Sequence, residues 1–354
     1  GSWGYALDNI PMHSAITNAS GDQNDEATAP WVEFTNPSGT PVDVYIELPS
    51  LGGGAIAQRT NVGSRYTWTL TTTELNTIRS LMANTNLTTI RFVVHDALGG
   101  VNAWTYIDRN LTIVNALPTF TTITYKDTNT TTSTITGNDQ YIIQGKSTVQ
   151  AKIAVADKAT GTKYATMVKY LFSLAGNNSE VAWSNVADVV NDIGVLSVGT
   201  NQTLAVTARD SRTNQTVVNK TVNLVPYASP VVNATAVRVN NFEATTDITI
   251  SGTVSVLDVA GTKKNDVNNT NGVQYRYRES GGTWGSWTNR ASTYTSSTGA
   301  VATTPFTLSL DNTKQYDIEV KITDKLETTT VALTVNRGLA IMRVSTSDDQ
   351  IYNK

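Results

Sequence analysis

Cysteine is absent from this chain of 354 residues, which excludes disulfides and thiolate metal sites. Such a protein must hold itself together by core burial, which several domains of ordinary size can supply. Charge is scarce as well. Asp, Glu, Lys and Arg make up 16% of the residues, against about 25% in ordinary globular domains. The net charge is −3 and no basic run stands out, which argues against nucleic acid as a partner. No apolar run approaches the roughly 18 residues of a membrane span, so membrane insertion is not expected. No signal peptide is visible. Gly1-Ser2 reads as a cloning scar, so the chain is expected to begin inside a longer protein. Phosphate-binding loops, dinucleotide fingerprints and metal-binding helix patterns are missing too, and no cofactor and no metal are expected.

Threonine, asparagine and glycine take the place of the missing charge. Threonine is a β-branched strand former, and asparagine and glycine suit turns. A surface solvated by hydroxyls and amides is more usual in secreted and particle-surface proteins than in cytosolic enzymes.

The chain repeats itself. "RFVVHDALGG", "LAVTARDSRT" and "IEVKITDKLE" each read as an alternating strand, an aspartate and a turn. A second alternating strand follows each: "RNLTIV", "KTVNLV" and "TVALTV". The aspartates are Asp96, Asp210 and Asp324, at two equal intervals of 114 residues (96 to 210, 210 to 324). Equal intervals of domain length argue for three tandem units. Pro118 and Pro230 fall at the junctions, where proline denies a ladder its donor and stiffens the link. The expected organisation is an N-terminal entry segment at 1–27, β-sandwich domains at 28–117, 118–228 and 229–338, and a C-terminal linker at 339–354. Period-two segments such as "VDVYIEL", "DITISGTVSV" and "YDIEVKIT" predict strands almost throughout. One helix is expected, in "TTTELNTIRSLMAN", where Thr71 and Glu74 have capping-box spacing and Leu75, Ile78, Leu81 and Met82 form one face. The predicted fold is all-β: tandem Ig-like or fibronectin-III-like β-sandwich domains, with one short helix in the first.

One hairpin invites a functional reading. "VQYRYRESGGTWGSWTNR" spans 273–290. Alternation puts Val273, Tyr275 and Tyr277 on one face and Gln274, Arg276 and Arg278 on the other. Trp284 and Trp287 are three apart and belong on opposite faces, unless a bulge at Gly285 returns both to one side. On the ordinary reading the tyrosines and one tryptophan are core, and the other tryptophan packs on arginine stems. On the sharper reading an outward tryptophan, flanked by Arg276 and Arg278, stacks on a sugar ring. The candidate ligand-binding residues are therefore Trp284, Trp287, Arg276 and Arg278. The parallel segment "MVKYLFSLAGNNSEVAWSN" keeps Tyr170 and Trp183 without an arginine pair, which favours a structural job for the shared aromatics.

Other constellations carry less. His95 and Asp96 are adjacent, so a strand points them to opposite faces, and nothing supplies the geometry of a catalytic triad. Asp96 is expected to accept turn amides, like its repeat partners. Asp22, Asp25 and Glu26 offer oxygen ligands for Ca²⁺ but lack calcium-loop spacing, and a solvated loop is expected. No spacing fixes Asp258 and Asp266 as a glycosidase pair. Asn-x-Thr sequons are expected by chance in so Asn- and Thr-rich a chain.

Several segments resemble a known group. "NIPMHSAI", "SRYTWTLTTTELNTI", "ITGNDQYIIQGKSTVQAKI", "VTARDSRTNQT", "VRVNNFEATTDITISG", "VQYRYRESGG" and "ITDKLETTTVALTVNRGLAIMRV" are similar, in order, to segments of tail and baseplate host-specificity proteins of siphophages infecting Gram-positive bacteria. The similarity runs from about Ile10 to Val344. "IPMHS" departs from the usual "IPRAS" of that group.

The resemblance implies a virion protein of the tail tip or baseplate, extracellular in action and not an enzyme. It implies tail and baseplate proteins as partners, and it transfers no binding residues. The expected role is a multi-domain spacer contributing to recognition of host wall polysaccharide. A spacer with protein partners only, and a bacterial adhesin stalk, are the alternatives. Homo-oligomeric assembly in the virion stays open. A hydrolase is disfavoured, since no nucleophile–base constellation is present.

Overall fold

Successive side chains leave opposite faces of an extended backbone, so the alternating segments become strands with one face to bury. The computed structural model describes residues 12–27, 29–267, 271–338, 342–344 and 351–353. The Gly1-Ser2 start, most of the entry segment before Met12, and most of the expected linker at 339–354 lie outside the described residues. The chain is an all-β protein of tandem β-sandwich domains.

The first eight strands are β1 (Ala15–Ala19), β2 (Gln23–Asn24), β3 (Trp31–Thr35), β4 (Val42–Leu48), β5 (Gly53–Val62), β6 (Arg65–Thr67), β7 (Leu87–Leu98) and β8 (Val101–Thr112). They form a sheet of order β1-β3-β6 and a second of order β2-β8-β7-β4-β5. Val32, Phe34, Ile46, Trp68, Phe92 and Val94 belong to one buried core. Helix α1 (Thr72–Leu81) carries the expected capping box: the Thr71 side chain accepts from the Glu74 amide, and the Glu74 carboxylate accepts from the Thr71 amide. Ile78 and Met82 bring the helix into that core.

The middle strands are β9 (Thr124–Asp127), β10 (Tyr141–Ile143), β11 (Thr148–Ile153), β12 (Met167–Leu174), β13 (Asn177–Ala182), β14 (Val189–Val195), β15 (Gln202–Asp210) and β16 (Gln215–Val225). Their sheets run β14-β11-β9 and β10-β16-β15-β12-β13. A second helix, α2 (Thr130–Thr136), lies where only one helix in the chain was expected. Its threonines are poor helix formers, but its ends are well made. The Asn129 side chain accepts from the Thr131 amide, Gly137 closes the last turn in the left-handed conformation, and the Thr132 hydroxyl donates to Asp127 at 2.5 Å. Here capping outweighs propensity.

The next eleven strands are β17 (Val231–Arg238), β18 (Thr245–Thr253), β19 (Asp258–Val259), β20 (Thr262–Lys263), β21 (Val273–Glu279), β22 (Thr288–Asn289), β23 (Ser292–Thr295), β24 (Ala300–Thr303), β25 (Phe306–Ser309), β26 (Tyr316–Thr323) and β27 (Thr328–Val335). Two of their sheets, β17-β18-β24-β23 and β22-β21-β26-β27, contribute Ile248, Ile250, Val301, Ile318, Val320 and Ile322 to one core.

The chain divides into two compact units. One comprises Gly1–Thr124, Lys152–Asn191 and Leu204–Lys220; the other comprises Tyr125–Ala151, Asp192–Thr203 and Thr221–Lys354. Within the first, the turn after β15 is fastened to the end of α1 by Arg212. Its buried guanidinium donates to the carbonyls of Met82 (2.8 Å), Thr162 (3.0 Å), Arg79 (3.2 Å) and Lys163. Ser211 donates to the Ala83 carbonyl at 2.6 Å, and Asn214 exchanges amide bonds with Asn86. Asp25 completes this junction. Its carboxylate is fully buried between Arg79 (2.7 Å) and Lys163 (2.8 Å) and accepts from the Val114 amide. It is a buried ionic hub, contrary to the solvated loop that the sequence suggests, because two cations and an amide replace its water. In the second unit Arg238 is buried in the same manner. All five of its N–H groups reach carbonyls, those of Asn336, Glu243, Leu310, Asp311 and Lys314.

The three repeat aspartates are all buried. Asp210 accepts from the Arg212 and Asn214 amides, and Asp324 from those of Leu326 and Glu327. Asp96 differs. It lies inside the long β7–β8 ladder, opposite Ala103, and so has no turn amide within reach. It accepts instead from the Ser14 amide at 2.5 Å and bonds His13 Nδ1 at 2.6 Å.

Two expectations follow from the Arg212–Asp25 junction. Arg212→Met should destabilise by about 3 kcal/mol in urea denaturation, since it removes four charge-assisted hydrogen bonds at once; Arg212→Lys, which lacks the fork, should recover only part of that. Burial alone would raise the Asp25 carboxyl, but Lys163, the Val114 amide and Arg79 outweigh it and hold it below its ordinary value. Its contribution is thus present above the ordinary carboxylate range near pH 4 and is lost as pH falls below it. Asp25→Asn should flatten the acid limb of a stability-versus-pH curve.

Candidate functional site

The hairpin at 273–290 is built on β21, which pairs with β26 along its whole length. Tyr275 turns inward and meets Phe306 at 4.9 Å. Tyr277 is 39% exposed and meets the Tyr316 ring edge-on. Arg276 and Arg278 face outward. Each lies directly across from a carboxylate, Glu319 and Asp317, and bonds it at 2.7 and 3.0 Å.

After the turn at Gly281, which has φ +81°, residues 283–287 leave the ladder before β22 resumes it. Gly285 makes this possible. Its amide donates to the Tyr277 carbonyl at 3.1 Å, and a Cβ there would stand 3.2 Å from that oxygen. The irregular stretch brings both tryptophans to the arginine face, so neither enters the core, and the expectation of one core tryptophan is corrected. Trp284 has the Arg278 and Arg276 guanidinium carbons at 4.3 and 4.7 Å from its ring centre. Trp287 has Arg276 at 4.5 Å and the Lys321 ammonium at 4.1 Å. All four predicted residues therefore meet in one half-buried stack of alternating rings and cations. Three cations against two carboxylates leave this face net positive.

The related aromatics of the middle strands do structural work. The Tyr170 hydroxyl accepts from the Ala159 amide at 2.8 Å, and Trp183 Nε1 donates to the Ala159 carbonyl at 3.1 Å. The other groupings drawn from the sequence are taken up by local partners, with Asp25 and Glu26 sharing Lys163. His95 faces outward while Asp96 is buried. Asp22 accepts from the Asn110 amide, Glu26 from Asn115 and Lys163. Asp258 pairs with Lys263, and Asp266 with Lys325. No group of three or more metal-ligating side chains occurs among the described residues.

A second aromatic face was missed by the sequence reading. On the outer side of the β4-β7-β8 ladder, register aligns three rows: Asp43–His95–Trp104, Tyr45–Val93–Tyr106 and Glu47–Arg91–Asp108. Trp104 stacks on His95 at 4.0 Å with 28° between the planes, and lies 5.6 Å from Tyr45. Arg91 covers Tyr106 at 3.8 Å and is held by Asp108 through bonds of 2.8 and 3.0 Å. Trp104 and Tyr106 are nonetheless 57% and 58% exposed. The signal was present in "VNAWTYIDRN", where alternation gives Trp104, Tyr106 and Asp108 one face.

The chain matches, over residues 5–349, the family described as "Siphovirus protein of unknown function (DUF859)". It belongs to that siphovirus family. No curated protein matches it. Among solved structures, it is similar to a Ca²⁺-stabilized adhesin with which an Antarctic bacterium reaches out and binds ice, at 12% identity and a TM-score of 0.36, covering 97% of this chain and 79% of that one. It is also similar to SGBP-B of the Bacteroides ovatus mixed-linkage glucan utilization locus, in complex with a mixed-linkage heptasaccharide, at 13% identity and a TM-score of 0.20, covering 93% and 71%.

The hairpin stack predicts its own energetics. Trp287→Ala removes one ring from between two cations and should cost about 1–2 kcal/mol. The far-UV circular dichroism of the folded protein should be unchanged and the urea midpoint lowered.

Proposed function

We propose that this siphovirus protein is a virion component of the tail tip or baseplate. It acts without catalysis, as a multi-module spacer of three sandwich domains that contributes to recognition of host wall polysaccharide. The single observation that supports this most is the siphovirus family match along nearly the whole of a tandem-sandwich chain. Tandem sandwich modules set reach and orientation, and many copies on one particle amplify weak contacts. Partners on this reading are other tail and baseplate proteins and the wall glycan, met by stacked rings with polar groups around them. The Trp284–Arg276–Trp287 stack is the contact surface proposed for that glycan.

A second reading has its own support. The rings of that hairpin are already covered by Arg276, Arg278 and Lys321. A stack satisfied in this way suits a purely structural spacer with protein partners only.

The test uses fluorescently labelled protein with whole Gram-positive cells and purified wall polysaccharide, beside a Trp284→Ala/Trp287→Ala variant shown to be folded. Binding by wild type and its loss in the variant is the expected result. No binding by either at high protein concentration would leave the structural reading in place.

A further inference from the structure

The outer face of β4, β7 and β8 is a surface that the spacer role leaves unused. Strands that merely cover a core present polar or small residues to water. This face presents an indole and a phenol, each more than half exposed and adjacent on one strand. Side chains two apart on a strand stand roughly 7 Å from one another on the same side. Both rings are held in place. Trp104 leans on His95 with Tyr45 beside it, yet stays more than half exposed, and the Arg91 clamp on Tyr106 is fixed by Asp108. Rigid aromatic area of this kind supplies contact with little ordering on binding.

The polar surroundings define what such a platform accepts. Asp43, Glu47 and Asp108 border the rings, against a single guanidinium, that of Arg91, already committed to Asp108. Among the described residues neither Asp43 nor Glu47 has a cationic partner. The face is therefore net negative, and it offers acceptors to a ligand that brings hydroxyl or amine donors. A cleft of about 400 Å³ opens beside the first row, lined by Asp43, His95, Thr60 and Asn61. His95, on which Trp104 stacks, is common to the cleft and the ring face. Apolar ring faces next to convergent polar groups are the recurring makeup of a ligand site. C–H-rich sugar faces pack on such rings, while phosphate and carboxylate groups are repelled by the bordering carboxylates.

We infer that Trp104, Tyr106 and the Asp43–Thr60 cleft form a saccharide-binding platform selective for neutral or amino-sugar chains over phosphate- or uronate-bearing ones. This rests on the reading of the protein as a glycan-recognition spacer, and adds to it a site of opposite charge to the hairpin.

The test is titration calorimetry of the folded protein with three probes: chito-oligosaccharide, its deacetylated form, and an anionic polyglycerol phosphate. Four proteins are compared: wild type, Trp104→Ala, Asp43→Asn/Glu47→Gln, and Trp284→Ala/Trp287→Ala. Trp104 is largely exposed, so its variant should fold. Expected is binding of one or both uncharged and amino probes by wild type, weakened about tenfold or more by Trp104→Ala, and unchanged in the hairpin variant. The Asp43/Glu47 variant should lose most for the deacetylated probe. Equal binding by wild type and Trp104→Ala overturns the platform. If the hairpin variant then loses binding, the recognition reading stands without it. Preference of wild type for the polyglycerol phosphate at this face also overturns it. So does a dimer in sedimentation that Trp104→Ala dissolves and no saccharide displaces, since the face would then join two copies of the chain.

Discussion

Two buried arginines that bond carbonyls instead of carboxylates set the terms for much of this molecule. A guanidinium out of water must have its N–H groups satisfied, and a sandwich has few buried acids to offer. Arg212 solves this with four backbone oxygens and Arg238 with five. Carbonyl oxygens at strand ends and at the last turn of a helix are the groups that secondary structure leaves unpaired. One side chain thus ties together several carbonyls, some of which also accept a turn amide, at a junction where no ladder can reach. The guanidinium also meets the negative end of α1 through Arg79 and Met82, a favourable placement for a cation. Position is over-determined as a result: a shift of the α1 end, of the 162–163 loop or of the turn after β15 breaks bonds in the other two. Lys163 shows the strain this geometry tolerates. It adopts φ +47°, unusual for a residue with a Cβ, while its carbonyl serves Arg212 and its ammonium serves Asp25.

The low charge of the sequence bears on the same point. With few surface ion pairs available, and those weak in water, fixation falls to buried hubs and hydroxyl networks. Asp25 gathers two cations. Asp324 accepts from two turn amides, from Asn265 and from the Tyr227 hydroxyl, and the burial of Tyr227 beside Asp324 and Glu327 pushes its phenol well above the ordinary range. Buried networks fully satisfied in this way specify one arrangement.

Strand alternation and the capping box of α1 were plain in the sequence because both are local: each is decided by residues within a few positions of one another. The helix α2 was not, because threonines argue against it and only the caps at Asn129 and Gly137 argue for it. The repeat position of Asp96, Asp210 and Asp324 was legible, but the work of Asp96 was not. The bonds of Asp96 come from His13 and Ser14, more than eighty residues away. At the candidate site, alternation placed Arg276 and Arg278 correctly, and their cross-strand carboxylates could not be assigned without the register of β26. Trp284 and Trp287 share a face only because residues 283–287 leave the ladder at Gly285. The Trp104 face escaped notice for the opposite reason. Each of its strands looks ordinary alone, and the platform exists only once β4, β7 and β8 are aligned.

The two aromatic faces differ in what has already claimed their rings. At the hairpin each indole lies against two cations, and Arg276 and Arg278 are in turn held by Glu319 and Asp317. A sugar approaching there competes with contacts worth about 0.5–2 kcal/mol apiece. On β8, Tyr106 is covered by Arg91, but Trp104 has no cation over it: it stacks on His95, lies 5.6 Å from Tyr45 and stays 57% exposed. Desolvating an unclaimed ring needs no rearrangement of the protein, whereas uncovering a claimed one does. Ring count alone would rank the faces equally. Ring availability ranks β8 first for uncharged chains, and the positive hairpin as the better surface for a polymer that carries its own negative charge.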